Sequence, residues 1–235
     1  MKVTVISTGS AKGNAYLVED GHTTILLDAG AQVEDIKKAV NFAVGRISAC
    51  LVTHEHGDHA KSVGKLLFYG IDVYMSAGTA LMCGFSENVH VETVEALKPF
   101  RVGTFRVVPF DVEHDAAEPL GYLVDSEVTG ERLLYFTDTA FVRYLFPGVT
   151  HIIGECNHSQ ELIERNAAAG TLSPELAARV VKNHMSLERF LDYVEKMDRA
   201  KLRQIFLIHA SDSNANDALF LTKVREATGV EVEMA

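Results

Sequence analysis

Apolar runs of four to eight residues alternate with stretches of helical period along the chain, and the runs predict β-strands. Residues 104–112, 132–136, 151–155 and 204–208 are such runs. The last is apolar on both faces, as a sheet covered by helices on each side demands. Residues 1–6 alternate polar and apolar like a strand, and 47–52 form a further apolar run. Helical spacing covers 34–44 through Ile36, Ala39, Val40 and Ala43. Ser173 followed by Pro174 reads as an N-cap with proline at the first helical position. Ser186 opens another helix, whose stripe of Leu187, Phe190, Leu191, Val194 and Met197 predicts ordinary core packing. A last helix over roughly 214–228 and a strand over 230–233 follow. The alternation predicts a layered α/β fold.

Several predicted strands stop at a histidine or an aspartate. Run 47–52 leads into Thr53-His54-Glu55-His56-Gly57-Asp58-His59, run 104–112 into His114, run 132–136 into Asp138 and run 204–208 into His209. Imidazole and carboxylate are the donors that borderline dications such as zinc prefer. The carboxyl ends of strands are also the usual place for a site in α/β layers. His184 lies two residues before the N-cap Ser186, in a loop at a helix N-terminus, where an anion is favoured.

Composition narrows the field. A chain of 235 residues with 47% hydrophobic residues can form one large domain, and no linker, low-complexity tract or internal repeat divides it, so residues 1–235 are expected to form a single domain. No signal-peptide pattern opens the sequence, and no apolar run reaches membrane-spanning length. Three widely spaced cysteines, Cys50, Cys83 and Cys156, argue against a disulfide framework and for a reducing cytoplasm. A net charge of −10 counts against broad electrostatic affinity for nucleic acid. Bound dications weaken that objection, because they place positive charge where a phosphate must go.

The order His54-x-His56-x-Asp58-His59, His114, Asp138, His209 resembles the full metal-ligand set of the metallo-β-lactamase fold superfamily. The glycine-flanked aspartate of Leu27-Asp28-Ala29-Gly30 is similar to one in that family. The chain most resembles the WalJ/YycJ-like branch, related to ribonuclease Z and linked to nucleic-acid hydrolysis. That narrower likeness rests on the segment 7–14, on His114-Asp115-Ala116-Ala117-Glu118-Pro119-Leu120-Gly121-Tyr122, on Glu155-Cys156-Asn157-His158 and on His184-Met185-Ser186.

The resemblance implies a four-layer αββα sandwich with two divalent metals, zinc or manganese with iron as a further option. His54, His56 and His114 would hold one ion, Asp58, His59 and His209 the other, and Asp138 would bridge them. Seven donors exceed what one tetrahedral ion takes but suit two ions about 3.5–4 Å apart. Such a pair generates a hydroxide at neutral pH and stabilises both oxygens of an in-line displacement, which suits a phosphodiester. His184 is the candidate general acid, and Asp58 would orient the hydroxide as well as bind metal. Ser10 and Asn14, in the turn between the first two strands, are candidate phosphate contacts, as are Lys61 and Lys65. His158 is a candidate support for the site. His22, His90 and His151 are read as structural.

Asp138 stands where zinc β-lactamases carry a cysteine, which disfavours antibiotic hydrolysis. The leading expectation is a metal-dependent phosphodiesterase or exonuclease acting on nucleic acid, especially single-stranded DNA or ends, or on a small phosphodiester. The alternative is a small-molecule ester, lactone, thioester or cyclic-nucleotide hydrolase. A metal-bearing protein without catalysis ranks last, because no ligand position is missing.

Overall fold

The computed structural model describes residues 1–235. Two β-sheets and eight α-helices make a mixed α/β fold. The contacts cluster into two compact units, Met1–Asp111 with Ala116–Glu131, and Val112–Asp115 with Arg132–Ala235.

The first unit holds a six-stranded sheet in sequential order: β1 (Lys2–Ser7), β2 (Ala15–Glu19), β3 (Thr24–Leu27), β4 (Ala49–Leu51), β5 (Val73–Met75) and β6 (Val91–Thr93). β1 to β3 form an antiparallel meander, and from β3 onward the pairs are parallel. Parallel pairs need crossovers, which α1 (Val33–Ala39), α2 (Gly57–Ala60), α3 (Val63–Phe68) and α4 (Ala77–Cys83) help to supply. Their apolar faces bury Ile36, Val63 and Leu66 against Leu26, Cys50 and Val73. β7 (Phe100–Val102), β8 (Phe105–Asp111) and β9 (Leu120–Ser126) pair antiparallel.

The second unit carries β10 (Arg132–Phe136), β11 (His151–Glu155), β12 (Gln204–Ile208) and β13 (Glu231–Met234), all parallel, with α5 (Gln160–Ala168), α6 (Pro174–Asn183), α7 (Leu187–Lys196) and α8 (Asp217–Thr228). Within this unit the strands run in the order β13-β12-β11-β10. β11 is buried at every position, as an interior parallel strand must be.

Strands 132–136, 151–155 and 204–208 form as their apolar runs predict. Ser173 and Ser186 cap α6 and α7, accepting from the main-chain N–H of Leu176 and Arg189. Helix 34–44 is shorter than expected. It ends at Ala39, because Asn41 and Phe42 turn left-handed at φ 53° and 61°. The stripe on α7 also differs: Tyr193 is buried, and Leu191 is only half-buried. The last helix starts three residues later than expected, where Asn216 accepts from Leu219 N–H.

Candidate metal centre

In the first unit the donors sit where β4 hands the chain to α2. His54 follows the buried pair Val52-Thr53, His56 is the N-cap of α2, and Asp58 and His59 lie in its single turn. The His54 ring lies 4.7 Å from that of His56 and 4.2 Å from that of His59, centroid to centroid. His59 Nε2 is 3.5 Å from Asp58 Oδ2.

Asp28 orients this set. It is fully buried just beyond β3, with Oδ1 accepting from Thr53 N–H at 2.7 Å and Oδ2 lying 2.7 Å from His59 Nδ1. An ionised carboxylate only accepts, so His59 Nδ1 carries the proton and Nε2 the lone pair. The Thr53 hydroxyl, 3.0 Å from Asp28 Oδ2, donates there and so accepts from His54 Nδ1–H at 3.0 Å. Both rings are thereby held in the tautomer that offers Nε2 to a cation.

The expected phosphate contacts divide. Ser10 is exposed in the turn, and Lys61 and Lys65 are exposed as well. Asn14 is fully buried. Its Oδ1 accepts from Gly9 N–H and from Tyr16 Oη, while Nδ2 donates to the Asp58 carbonyl and lies 3.1 Å from His59 Nε2. That placement positions the metal loop and gives the side chain no face toward a substrate phosphate.

In the second unit His114, Asp138, His184 and His209 gather around a residue the sequence reading left without a role, Glu155. It ends β11 with no exposed surface. Its Oε1 lies 2.6 Å from His184 Nδ1 and 3.0 Å from His209 Nδ1, and Oε2 accepts from the N–H groups of Thr139 and Met185. His114 Nε2 is 3.6 Å from Asp138 Oδ2, and His209 Nδ1 is 3.3 Å from Asp138 Oδ1. Donor atoms of Asp138, Glu155, His184 and His209 all lie within 4.8 Å of one another.

Electrostatics couple this cluster. Burial on its own would raise the Glu155 carboxyl, but the charge and hydrogen bond of His184, with His209, hold it below the usual carboxylate range. Burial likewise pulls His184 down, yet the adjacent Glu155 carboxylate outweighs it and leaves the ring above the ordinary histidine value. Both directions come from the same His184–Glu155 contact.

His158 is buried, and its ring Nδ1 has no hydrogen-bond partner. Its carbonyl accepts from Leu187 N–H, it bridges Ser186 as a short parallel pair, and burial pushes its ring down to about 4. Asn157 braces the same turn, donating from Nδ2 to the His209 carbonyl and from its main chain to Met185. The run Glu155-Cys156-Asn157-His158 at a strand end is the sequence signal for this bracing.

Residues 9–82 match the family model described as "Metallo-beta-lactamase superfamily". The chain is 26% identical over 243 residues to "Exodeoxyribonuclease WalJ" of Streptococcus pneumoniae serotype 2 (strain D39 / NCTC 7466), covering 96% of this chain and 87% of that protein. It is 27% identical over 245 residues to "Exodeoxyribonuclease YycJ" of Bacillus anthracis, covering 97% and 90%. Its fold matches the crystal structure of the metallo-β-lactamase fold protein YhfI from Bacillus subtilis, with a TM-score of 0.76 over 99% of this chain and 95% of that one at 16% identity. The histidine–aspartate loop after β4 lies inside the matched segment, and the two-sheet α/β fold is similar to that of YhfI, so the chain resembles metallo-β-lactamase fold proteins in both its donor loop and its fold.

Proposed function

We propose that this chain is a metal-dependent phosphodiesterase that cleaves nucleic acid, acting as one hydrolase domain over its 235 residues. Relatives named exodeoxyribonucleases, matched along 96–97% of the chain, support the substrate class. The observation that carries the reading is the His184–Glu155 pair beside Asp138 and His209, a raised-pKa imidazole next to metal-binding donors.

The donor chemistry fits divalent metal. His54, His56 and His114 would hold one ion and Asp58, His59 and His209 the other, with Asp138 a donor common to them. Imidazole-rich ligation favours zinc, and the carboxylates accept manganese. When bound, the dications supply an activated water at neutral pH and neutralise charge on the phosphate oxygens. The protein's own groups do the rest. Asp28 and Thr53 fix the rings of His59 and His54, and Glu155 favours the protonated form of His184. His184 then delivers its Nε2 proton to the leaving alkoxide. Asp58, with its carbonyl held by Asn14, orients the attacking water.

With a net charge of −10, affinity comes from the metals and a few local contacts, which favours single strands or ends that thread into a narrow site. Three free cysteines fit a reducing cytoplasm, and no helix is long and apolar enough to cross a membrane. The test is to incubate metal-loaded protein with bis-p-nitrophenyl phosphate, single- and double-stranded DNA, RNA, and a lactone and thioester panel. Turnover of the phosphodiesters is expected. Fast turnover of a lactone or thioester with no phosphodiester cleaved would transfer the assignment to a small-molecule hydrolase, the reading that the acidic surface favours.

A further inference from the structure

The segment joining β10 to β11 and the outer face of α7 enclose a cavity of about 440 Å³, within the ~300–1,000 Å³ range of small-ligand sites. Three links tie it to the His184 cluster. Met185, in its wall, directly follows His184. Ala140, two residues beyond Asp138, accepts from Arg189 Nη1 at 3.4 Å. Arg143 pairs at 2.7 Å with Glu113, the neighbour of His114.

The lining is unusual for this chain. Arg143, Arg189 and Lys196 line it with a single carboxylate, Asp192, and with Glu113 paired to Arg143 the local charge is still about +1 in a chain of net charge −10. Phe141 and Leu145 stand 44% and 53% exposed beside these cations. Arg189 is pre-oriented: its Nη1 is fixed by the carbonyls of Ala140 and Val181, while its Nη2 makes no hydrogen bond. Lys196 is held only by exposed Asp192, and such surface pairs are weak enough for a phosphate to displace. A solvent-facing aromatic ring flanked by cations is the arrangement that binds single-stranded nucleic acid, the base stacking on the ring and the phosphate meeting the charges.

We propose that this cavity is the subsite for the nucleotide flanking the scissile bond, with the base on Phe141 and its phosphate on Arg189 and Lys196. The inference rests on the phosphodiesterase reading and names where the strand runs beyond the metal donors. It explains how an acidic protein holds a polyanion through a small number of contacts.

The test compares wild type, Phe141→Ala, Phe141→Trp and Lys196→Gln on bis-p-nitrophenyl phosphate and on a single-stranded eight-residue oligothymidylate. Binding of a 2-aminopurine-substituted strand to metal-free protein is followed in parallel by fluorescence. Phe141→Ala should lower kcat/KM on the oligonucleotide about five- to fifty-fold more than on the small diester, and should abolish the stacking quench. Phe141→Trp should restore both, and Lys196→Gln should remove about one phosphate from the salt slope, near 0.7 on single strands. Equal effects on the two substrates with the quench retained would overturn the subsite alone. Hydrolysis of neither substrate by wild type would overturn the phosphodiesterase reading, and the subsite with it.

Discussion

Glu155 governs the second group of donors at the residue scale, because one buried carboxylate orients two histidines through Nδ1. His184→Ala is expected to keep its metal but lose roughly 10²–10⁴ in kcat, the range for a positioned general acid. The loss should shrink on p-nitrophenyl esters, whose leaving group needs no proton, and metal analysis of the same variant separates chemistry from ligation. Glu155→Gln gives a pH readout. His184 stands above its ordinary value through the Glu155 charge, so removing that charge lowers its pKa. The acid must be protonated to work, and the alkaline limb of kcat/KM should therefore move to lower pH. In the first unit, Asp28→Asn leaves His59 Nδ1 without its carboxylate and should weaken metal affinity about 10–100-fold in a chelator competition.

The recurring device among the elements is a left-handed residue at the mouth of a parallel strand. Asp28 beyond β3, Asp138 beyond β10 and His209 beyond β12 have φ of 57°, 47° and 56°. Such strained non-glycine positions collect at functional sites, where the turn aims the side chain back over the sheet edge. α2 depends on close approach instead. A Cβ on Gly30 would stand 1.7 Å from the Asp58 carbonyl oxygen, so Gly30→Ala must displace the loop bearing Asp58. Its expected cost is at least the ~1–3 kcal/mol of overpacking, read by urea denaturation, with metal lost beforehand. Ser186→Ala removes the N-cap of α7 and should cost about 1 kcal/mol in the same assay.

Over the whole molecule, acid stability follows from buried neutral histidines. Burial lowers His151 and His158 to about 4, against roughly 6.5 for an exposed ring. The unfolded chain therefore binds the extra protons first. Their contribution is complete above about pH 6.5 and is lost as pH falls toward 4. Urea midpoints should decline across that window, and His158→Gln should flatten the decline. Metal analysis of protein purified without chelator should return more than one equivalent per chain. A value that stays at one or below after reconstitution would remove the shared role of Asp138.

The sequence by itself determined the strands 132–136, 151–155 and 204–208, two helix caps and the position of Asp138 and His209 just beyond strand ends. These are local properties: apolar period, capping chemistry and the type of residue that follows a run. Helix 34–44 was overextended because a left-handed turn at Asn41 and Phe42 leaves no trace in hydrophobic spacing. Asn14 lies in the expected turn, but only tertiary contacts show its side chain buried under His59. The structure alone decided what Asp28 and Glu155 do. Each lies far from its partners in sequence, 31 residues from His59 for Asp28 and 54 from His209 for Glu155. A buried carboxylate acquires its role from the donors that neighbouring parallel strands bring to it, and a linear pattern carries no record of that register.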